Sequence, residues 1–375
     1  MSGVRDVLIV GGGIGGLTLS IALARVGIRS EIVEVKPDAS VYGVGIIQPA
    51  NVIRAYGLLG LAGRCMEEGF PYTVGRRYDA DGVLLGERAF PAAEGMDFGG
   101  SCGIPRPRLQ AILTEEAAAL GVPVRFGVTV ATVENGEAEA LVTFTDGSRG
   151  RYDLVVGADG AYSQMRGMLF GTGLKPRFTG QGCWRFSTCR PAEMTWSSTH
   201  YGPNKAGLIP LTADSMYMFL TTVEPGNPWM PRENLHALMR DRLHGYRGLI
   251  AEIAGRITSP EAVVYKPLET LMLEAPWHRG RVLLIGDAVH AMTPHMAQGA
   301  AMAVEDAVVL AEILSTEGGL ADQLAHYTQR RLPRVRLAYD ASAQVCAWEL
   351  EPTATSIAEA VELSAHVRRE LARPA

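Results

Sequence analysis

The first 34 residues constrain this chain more than any other stretch. An apolar run, Val7-Leu8-Ile9-Val10, meets Gly11-Gly12-Gly13-Ile14-Gly15-Gly16. An amphipathic run follows to Val26-Gly27, and then Ser30-Glu31-Ile32-Val33-Glu34. The order is strand, glycine turn, helix, strand, within about 30 residues, which is the opening unit of a dinucleotide-binding α/β domain. Gly11 permits the tight turn, Gly13 lets backbone approach a pyrophosphate, and Gly16 lets the helix pack on the sheet. The helix N-terminus, with Ile14 and Gly15 in its first turn, points N–H groups at phosphate. Glu34 ends the second strand about 20 residues after the glycines, where an acid accepts hydrogen bonds from a ribose hydroxyl. Val35 stands beside it. A glycine turn alone proves little, but this one has its strand, helix and acid in place.

The chain has 375 residues, too many for one core, so two domains are expected. Lys and Arg number 35 against 40 acids, a net charge of −5, and no basic tract points to nucleic acid. Val7 to Ile28 is apolar enough to mimic a membrane span, but its glycines and Arg25 identify a buried strand and helix. Met1 to Asp6 lacks the flank of a signal peptide, so a cytoplasmic protein without membrane partners is expected, as a monomer or homodimer. The five cysteines form no C-x-x-C pair, which argues against a zinc site and for reduced thiols.

Further along, Gly43-Val44-Gly45-Ile46-Ile47 reads as a loop feeding a helix from about Pro49 to Gly57. Pro71 to Ala89 alternates around the turn Asp79-Ala80-Asp81-Gly82. Arg106 to Leu120 has helical spacing of Leu109, Ile112, Leu113 and Ala117. Short strands are expected at 182–190, 206–210 and 215–222, a helix at 231–244 and a strand at 263–273. The tail from residue 321 reads as helices. Three buried strands each run into a glycine–acid turn: the N-terminal one, Gly157-Ala158-Asp159-Gly160, and Gly286-Asp287. In a parallel sheet all three open at the same carboxyl edge, where ligands bind. The fold expected is α/β: a Rossmann-like domain from 1–70, 99–175 and 276–320, interleaved with an antiparallel-sheet substrate domain from 71–98 and 176–275. A C-terminal helical segment occupies 321–375.

Four segments in this order and spacing carry a family resemblance. They are GGGIGGL at the start, IPRPRL around Arg106, GADGAYSQMR from Gly157, and RVLLIGDAVHAMTPHMAQGAAMAVEDA from Arg281. Over nearly its whole length the chain resembles the single-component (class A) FAD-dependent aromatic hydroxylases, related to 4-hydroxybenzoate, salicylate, 6-hydroxynicotinate and urate hydroxylases. The resemblance implies that Gly11, Gly13 and Gly16 cradle the FAD pyrophosphate and that Glu34 binds the adenosine ribose. It implies that Arg106 lies along the FAD and that Val130 touches the adenine through its backbone. Asp159 and Gly160 would sit near the pyrophosphate, and Asp287 would bind the ribityl chain. The turn from Pro294 through Gln298 and Gly299 to Ala300 would cover the isoalloxazine. The implied chemistry is reduction of FAD by NADH or NADPH, reaction with O2, and a flavin C4a-hydroperoxide that hydroxylates an activated ring.

Candidates for contact with that ring are few. His295 lies in the flavin-facing turn and can accept a proton near neutral pH, or it is a turn histidine bonded to backbone. Tyr217 matches a substrate-touching tyrosine of the urate-hydroxylase branch. Twelve residues earlier, Lys205 replaces that branch's arginine, and an acid stands there in place of His295. Arg185 is a candidate carboxylate clamp, with His200 and Tyr201 as weaker candidates. Met216, Met218 and Met296 fit either a pocket wall or core. The resemblance points to a small hydroxylated, acidic aromatic or N-heteroaromatic substrate. The alternatives are a larger polycyclic substrate, a fold-related flavin reductase and a non-catalytic FAD-binding protein.

Overall fold

The computed structural model describes residues 3–41, 43–92 and 100–375. The expected boundary between residues 98 and 99 lies outside them. Four parallel strands, Val282–Leu284, Leu154–Gly157, Asp6–Val10 and Arg29–Glu34, stand side by side in that order. Val124–Phe126 adds a parallel edge, and His278–Arg279 closes the other edge antiparallel. Residues 7–10, Leu154–Gly157 and Val282–Leu284 are wholly apolar because helices cover both faces, as parallel sheets require, whereas Arg29–Glu34 nearer the edge keeps charged residues. Leu8, Ile9, Ile32, Val155 and Leu283 are fully buried.

The first glycine helix, Ile14–Arg25, packs against the sheet and against the helix Gly299–Leu314. A Cβ on Gly16 would stand 1.9 Å from the Gly11 carbonyl oxygen, and one on Gly11, at φ +114°, 2.4 Å from that of Ala158. Only glycines allow this strand, helix and second turn to meet.

The second sheet has seven strands, ordered Val263–Thr270, Arg177–Cys189, Ser215–Val223, Lys205–Pro210, Ser197–Tyr201, Val74–Asp79 and Leu84–Ala89. It is antiparallel except at one place: Ser197–Tyr201 runs parallel to Val74–Asp79. The expected strands at 182–190, 206–210 and 215–222 fall in its second, fourth and third strands, the first of them ending at Cys189. The first of these begins earlier, at Arg177. One face of this sheet buries Trp184, Phe186, Leu208, Met216, Met218 and Leu220 under the helices Leu235–Arg242 and Gly248–Arg256. Met216 and Met218 are therefore core.

Residues 43–47 are not simply a loop. Gly45–Pro49 is a strand paired with Ser101–Pro105, because Gly45 slides past Leu211 and Tyr217, where a Cβ would be 2.5–2.6 Å from their side chains. A 31-residue helix, Leu320–Leu350, and a last helix, Ser356–Ala372, complete the chain. No helix among the described residues is long and apolar enough to cross a membrane.

Candidate active site

Adjacent parallel strands bring the three glycine–acid turns to one carboxyl edge. The Ala158 N–H donates to the Val10 carbonyl at 2.8 Å, and the Ile285 N–H to that of Gly157 at 3.0 Å. In front of this edge lies a cavity of about 1000 Å³. Gly13, Ile14, Gly15, Arg106, Gly160 and Asp287 line it, and so does the whole turn from Pro294 to Ala300.

The cradle at Gly13 is open. A Cβ there would meet no atom within 4 Å, and no side chain caps the helix that starts beside it. The orphan N–H groups of that first turn face the cavity, a built anion site. Asp287 projects into the cavity, and enclosure by protein raises its pKa while His290 and Arg106 oppose that shift. Enclosure likewise lowers the pKa of Arg106. A dinucleotide's phosphates and hydroxyls would satisfy all three groups, so the residues present fit FAD.

Four expected contacts stand behind this surface. Glu34 accepts hydrogen bonds from the N–H groups of Gly12 at 2.7 Å and Lys36 at 2.9 Å, bracing the first turn. Val130 is buried and Val35 is exposed. Asp159 accepts from the Ser163 hydroxyl at 2.5 Å and the Met165 N–H at 3.0 Å, so it holds the second turn in shape. Sequence reading passed over Arg166 as a brace. Its buried guanidinium donates to the carbonyls of Ala161 at 2.8 Å and Ala288 at 3.0 Å, tying the second turn to the third.

The opposite wall is the seven-stranded sheet. Register places Cys183, Thr221 and Lys205 on one rung, Arg185, Phe219 and Gly207 on the next, and Ser187, Tyr217 and Ile209 on the third. Side chains alternate across a strand, so all nine share the face opposite the methionine core. Arg185, Lys205 and Tyr217 all line the cavity, whose residues also include Tyr201 and Met296. His200 is on the other face, stacked 4.9 Å from Tyr78, and burial lowers its pKa to about 4. Arg185 senses Cys183 and Tyr217 and has no carboxylate beside it among the described residues.

His295 and Lys205 meet a partner that the sequence reading did not single out. Glu349, near the end of the long helix, forms an ion pair with Lys205 and a 3.2 Å contact with His295 Nε2. It also accepts from the Thr221 hydroxyl at 3.0 Å and the Gln181 amide at 3.3 Å. Burial works to raise its pKa, but the Lys205 ammonium and the His295 ring outweigh this and hold it well below the usual carboxylate range. The His295 imidazole itself is sealed, with 0% of its side chain exposed, against 19% for Glu349 and 16% for Lys205. Burial, then Lys205, lowers its pKa. It is no backbone-bonded turn histidine, but its ring lies behind Glu349 instead of at the cavity surface. Lys205, already paired, is not free to take a carboxylate.

The turn from Thr293 to Ala300 is pinned at three points. Thr293 donates to the Ser342 carbonyl at 3.0 Å, His295 meets Glu349, and Gln298 accepts from Asn51 at 3.0 Å. One signal for Glu349 is present in the sequence. Ala338, Ala341, Ser342 and Val345 form a buried helical stripe, and Glu349 is its next member. An acid on such a stripe requires a partner.

Residues 5–342 match the family model described as FAD binding domain. The chain is 31% identical to the putative FAD-dependent monooxygenase YetM of Bacillus subtilis, over 91% of this chain and 93% of that one. It is 32% identical to the 2-heptyl-3-hydroxy-4(1H)-quinolone synthase of Pseudomonas aeruginosa, over 88% and 85%. The structure of Klebsiella pneumoniae HpxO with FAD and uric acid superposes with a TM-score of 0.87 at 24% identity, covering 99% of this chain and 97% of that one, a likeness of fold. With its cradle, its Asp287 turn and its pinned Pro294–Ala300 turn on one cavity, the chain belongs to the FAD-binding family of single-component, class A aromatic hydroxylases.

Proposed function

We propose that this protein uses NADH or NADPH and O2 to hydroxylate a small hydroxylated, acidic aromatic or N-heteroaromatic compound. The observation that carries this reading is the shared cavity, with the cofactor turns on one wall and Arg185, Tyr217 and Lys205 on the other. The quinolone synthase and the uric acid complex support a heteroaromatic substrate. FAD held here would supply the redox chemistry, hydride acceptance and O2 activation. The protein binds, orients and excludes water. Gly11, Gly13, Ile14, Gly15 and Gly16 hold the pyrophosphate, with Gly160 close by and Asp159 shaping its turn. Glu34, Val35 and Val130 form the adenosine end, and Arg106 and Asp287 flank the ribityl chain. Pro294, Gln298, Gly299 and Ala300 cover the ring system.

Arg185 takes the substrate's carboxylate or oxyanion, which suits a guanidinium with no carboxylate beside it among the described residues. Tyr217 packs against the ring, and His295, which lies behind Glu349, relays the proton from the substrate hydroxyl through that carboxylate. The five cysteines are all unpaired, which fits a reducing cytoplasm. One observation favours a bulkier substrate as second reading: Ile357, Ala360 and Val361 of the last helix add an apolar wall to the same cavity.

The deciding experiment is NAD(P)H-dependent oxygen uptake by the purified protein with a panel of hydroxy-aromatic and N-heteroaromatic acids. Yellow protein that releases FAD on denaturation and forms hydroxylated product is expected; colourless protein that takes up no added FAD would sink the reading. Asp287→Ala is expected to lower the FAD bound per chain, since its loss leaves buried cofactor hydroxyls unpaired. Wild-type flavin content in that variant would show that Asp287 does not hold the cofactor. His295→Ala should keep its flavin yet divert more NAD(P)H to hydrogen peroxide without product. Unchanged product per NAD(P)H across the pH range would reduce His295 to a turn residue.

A further inference from the structure

Lys205 and Glu349 form an ion pair in the wall of the substrate cavity, and neither is spent by it. The Lys205 ammonium carries three donors, of which one goes to Glu349 Oε1. Among the described residues that oxygen has no other hydrogen-bond partner, while Oε2 takes His295, Thr221 and Gln181. Each oxygen of a carboxylate can accept twice, so acceptor capacity remains on Oε1, beside unused donors on Nζ. Both side chains reach the cavity, at 16% and 19% exposure. The pair carries no net charge, so an anion placed here meets Glu349 and a cation meets Lys205. Its complement is a neutral group that donates and accepts on neighbouring atoms.

We propose that Lys205 and Glu349 read a lactam edge: the ring N–H of the substrate donates to Glu349, and the adjacent ring carbonyl accepts from Lys205. The substrate class is then an N-heteroaromatic in its N–H/C=O form. This rests on the flavin hydroxylase reading and narrows it. Arg185 sits one rung along the same sheet face and is left for an acidic substituent on the same ring. Glu349 and Lys205 act here by contact with substrate. Thr221 and Gln181 are positioning residues that hold the carboxylate in place, and His295 reaches the substrate only through it.

The test uses oxidised, FAD-replete enzyme and two probes, 2-quinolone and N-methyl-2-quinolone, titrated by the change in flavin absorbance. The probes differ only at the ring nitrogen, N–H against N–CH3, and loss of their affinity ratio on removing the Glu349 carboxylate separates the lactam contact from the bulk of the methyl group. Wild type is expected to prefer 2-quinolone by about tenfold or more, the usual effect of leaving a buried acceptor unpaired. Glu349→Leu should retain flavin and lose most of that preference, whereas Lys205→Met should retain flavin and bind both probes about tenfold more weakly, because both carry the carbonyl. Equal binding of the two probes by wild type, binding of neither, an undiminished preference in flavin-replete Glu349→Leu, or unweakened 2-quinolone binding in flavin-replete Lys205→Met would overturn the proposal. Loss of flavin from one variant leaves the other to decide. Wild-type protein that holds no FAD would overturn the hydroxylase reading as well, so the two failures are told apart.

Discussion

Arg331→Met should destabilise the fold by about 3–5 kcal/mol, the usual cost of leaving buried charge without its partner. The Arg331 guanidinium is wholly buried in the long helix and donates to Asp306 Oδ1 at 2.7 Å and Glu305 Oε2 at 3.0 Å. Asp306 in turn accepts from the Gly286 N–H at 3.0 Å and meets His290 Nε2 at 2.7 Å. The network therefore braces the very turn that presents Asp287. Burial pushes the Asp306 pKa up, but His290 and Arg331 prevail and hold it well below the carboxylate range. A depressed carboxylate pKa contributes stability above the unfolded value of about 3.9, and that contribution fades as pH falls through the folded value. The gap between wild type and variant should thus be widest near neutrality and narrow below about pH 4. Denaturant unfolding of both proteins across pH is the measurement. A loss under about 1 kcal/mol at neutral pH would mean that the network is not structural in the sense of buried-pair energetics.

The second large effect concerns the cofactor. Gly16→Val should give protein with little or no FAD. Its Cβ would stand 1.9 Å from the Gly11 carbonyl oxygen and 3.2 Å from Ile9 Cγ2. The obstacle is backbone, so the helix must lift from the strand. Overpacking costs about 1–3 kcal/mol where side chains can yield, and here the element that yields is the phosphate cradle itself. Flavin absorbance per protein, with circular dichroism to verify folding, measures the outcome. A folded variant with wild-type flavin content would show that close packing at Gly16 is dispensable for binding.

Much of this architecture was legible because its signals are local. Strand, glycine turn and helix are neighbours in sequence, so Gly11, Gly13, Gly16 and the two later glycine–acid turns announce themselves. The strands bearing Arg185, Lys205 and Tyr217 were legible for the same reason. What stayed hidden depends on contacts distant in sequence. Alternation says that Met216 and Met218 share a face but not which face meets the core. Gly45–Pro49 became a strand only because Ser101–Pro105 lies beside it. Glu349 lies 144 residues from Lys205 and 54 from His295, so no spacing rule joins them. The burial of the His295 ring follows from that partner.

The long helix ties cofactor and substrate walls together by two charged grips. Arg331 holds the Gly286–Asp287 turn through Asp306, and Glu349 holds the sheet at Lys205 and Thr221. The grips are 18 positions apart in one helix, about 27 Å at 1.5 Å per residue. Such a rod is a gauge. On the proposed function, it sets the gap between flavin and substrate ring before either binds. Substrate range should then evolve by trading side chains within a fixed gap, and hinge opening would have to break one grip first.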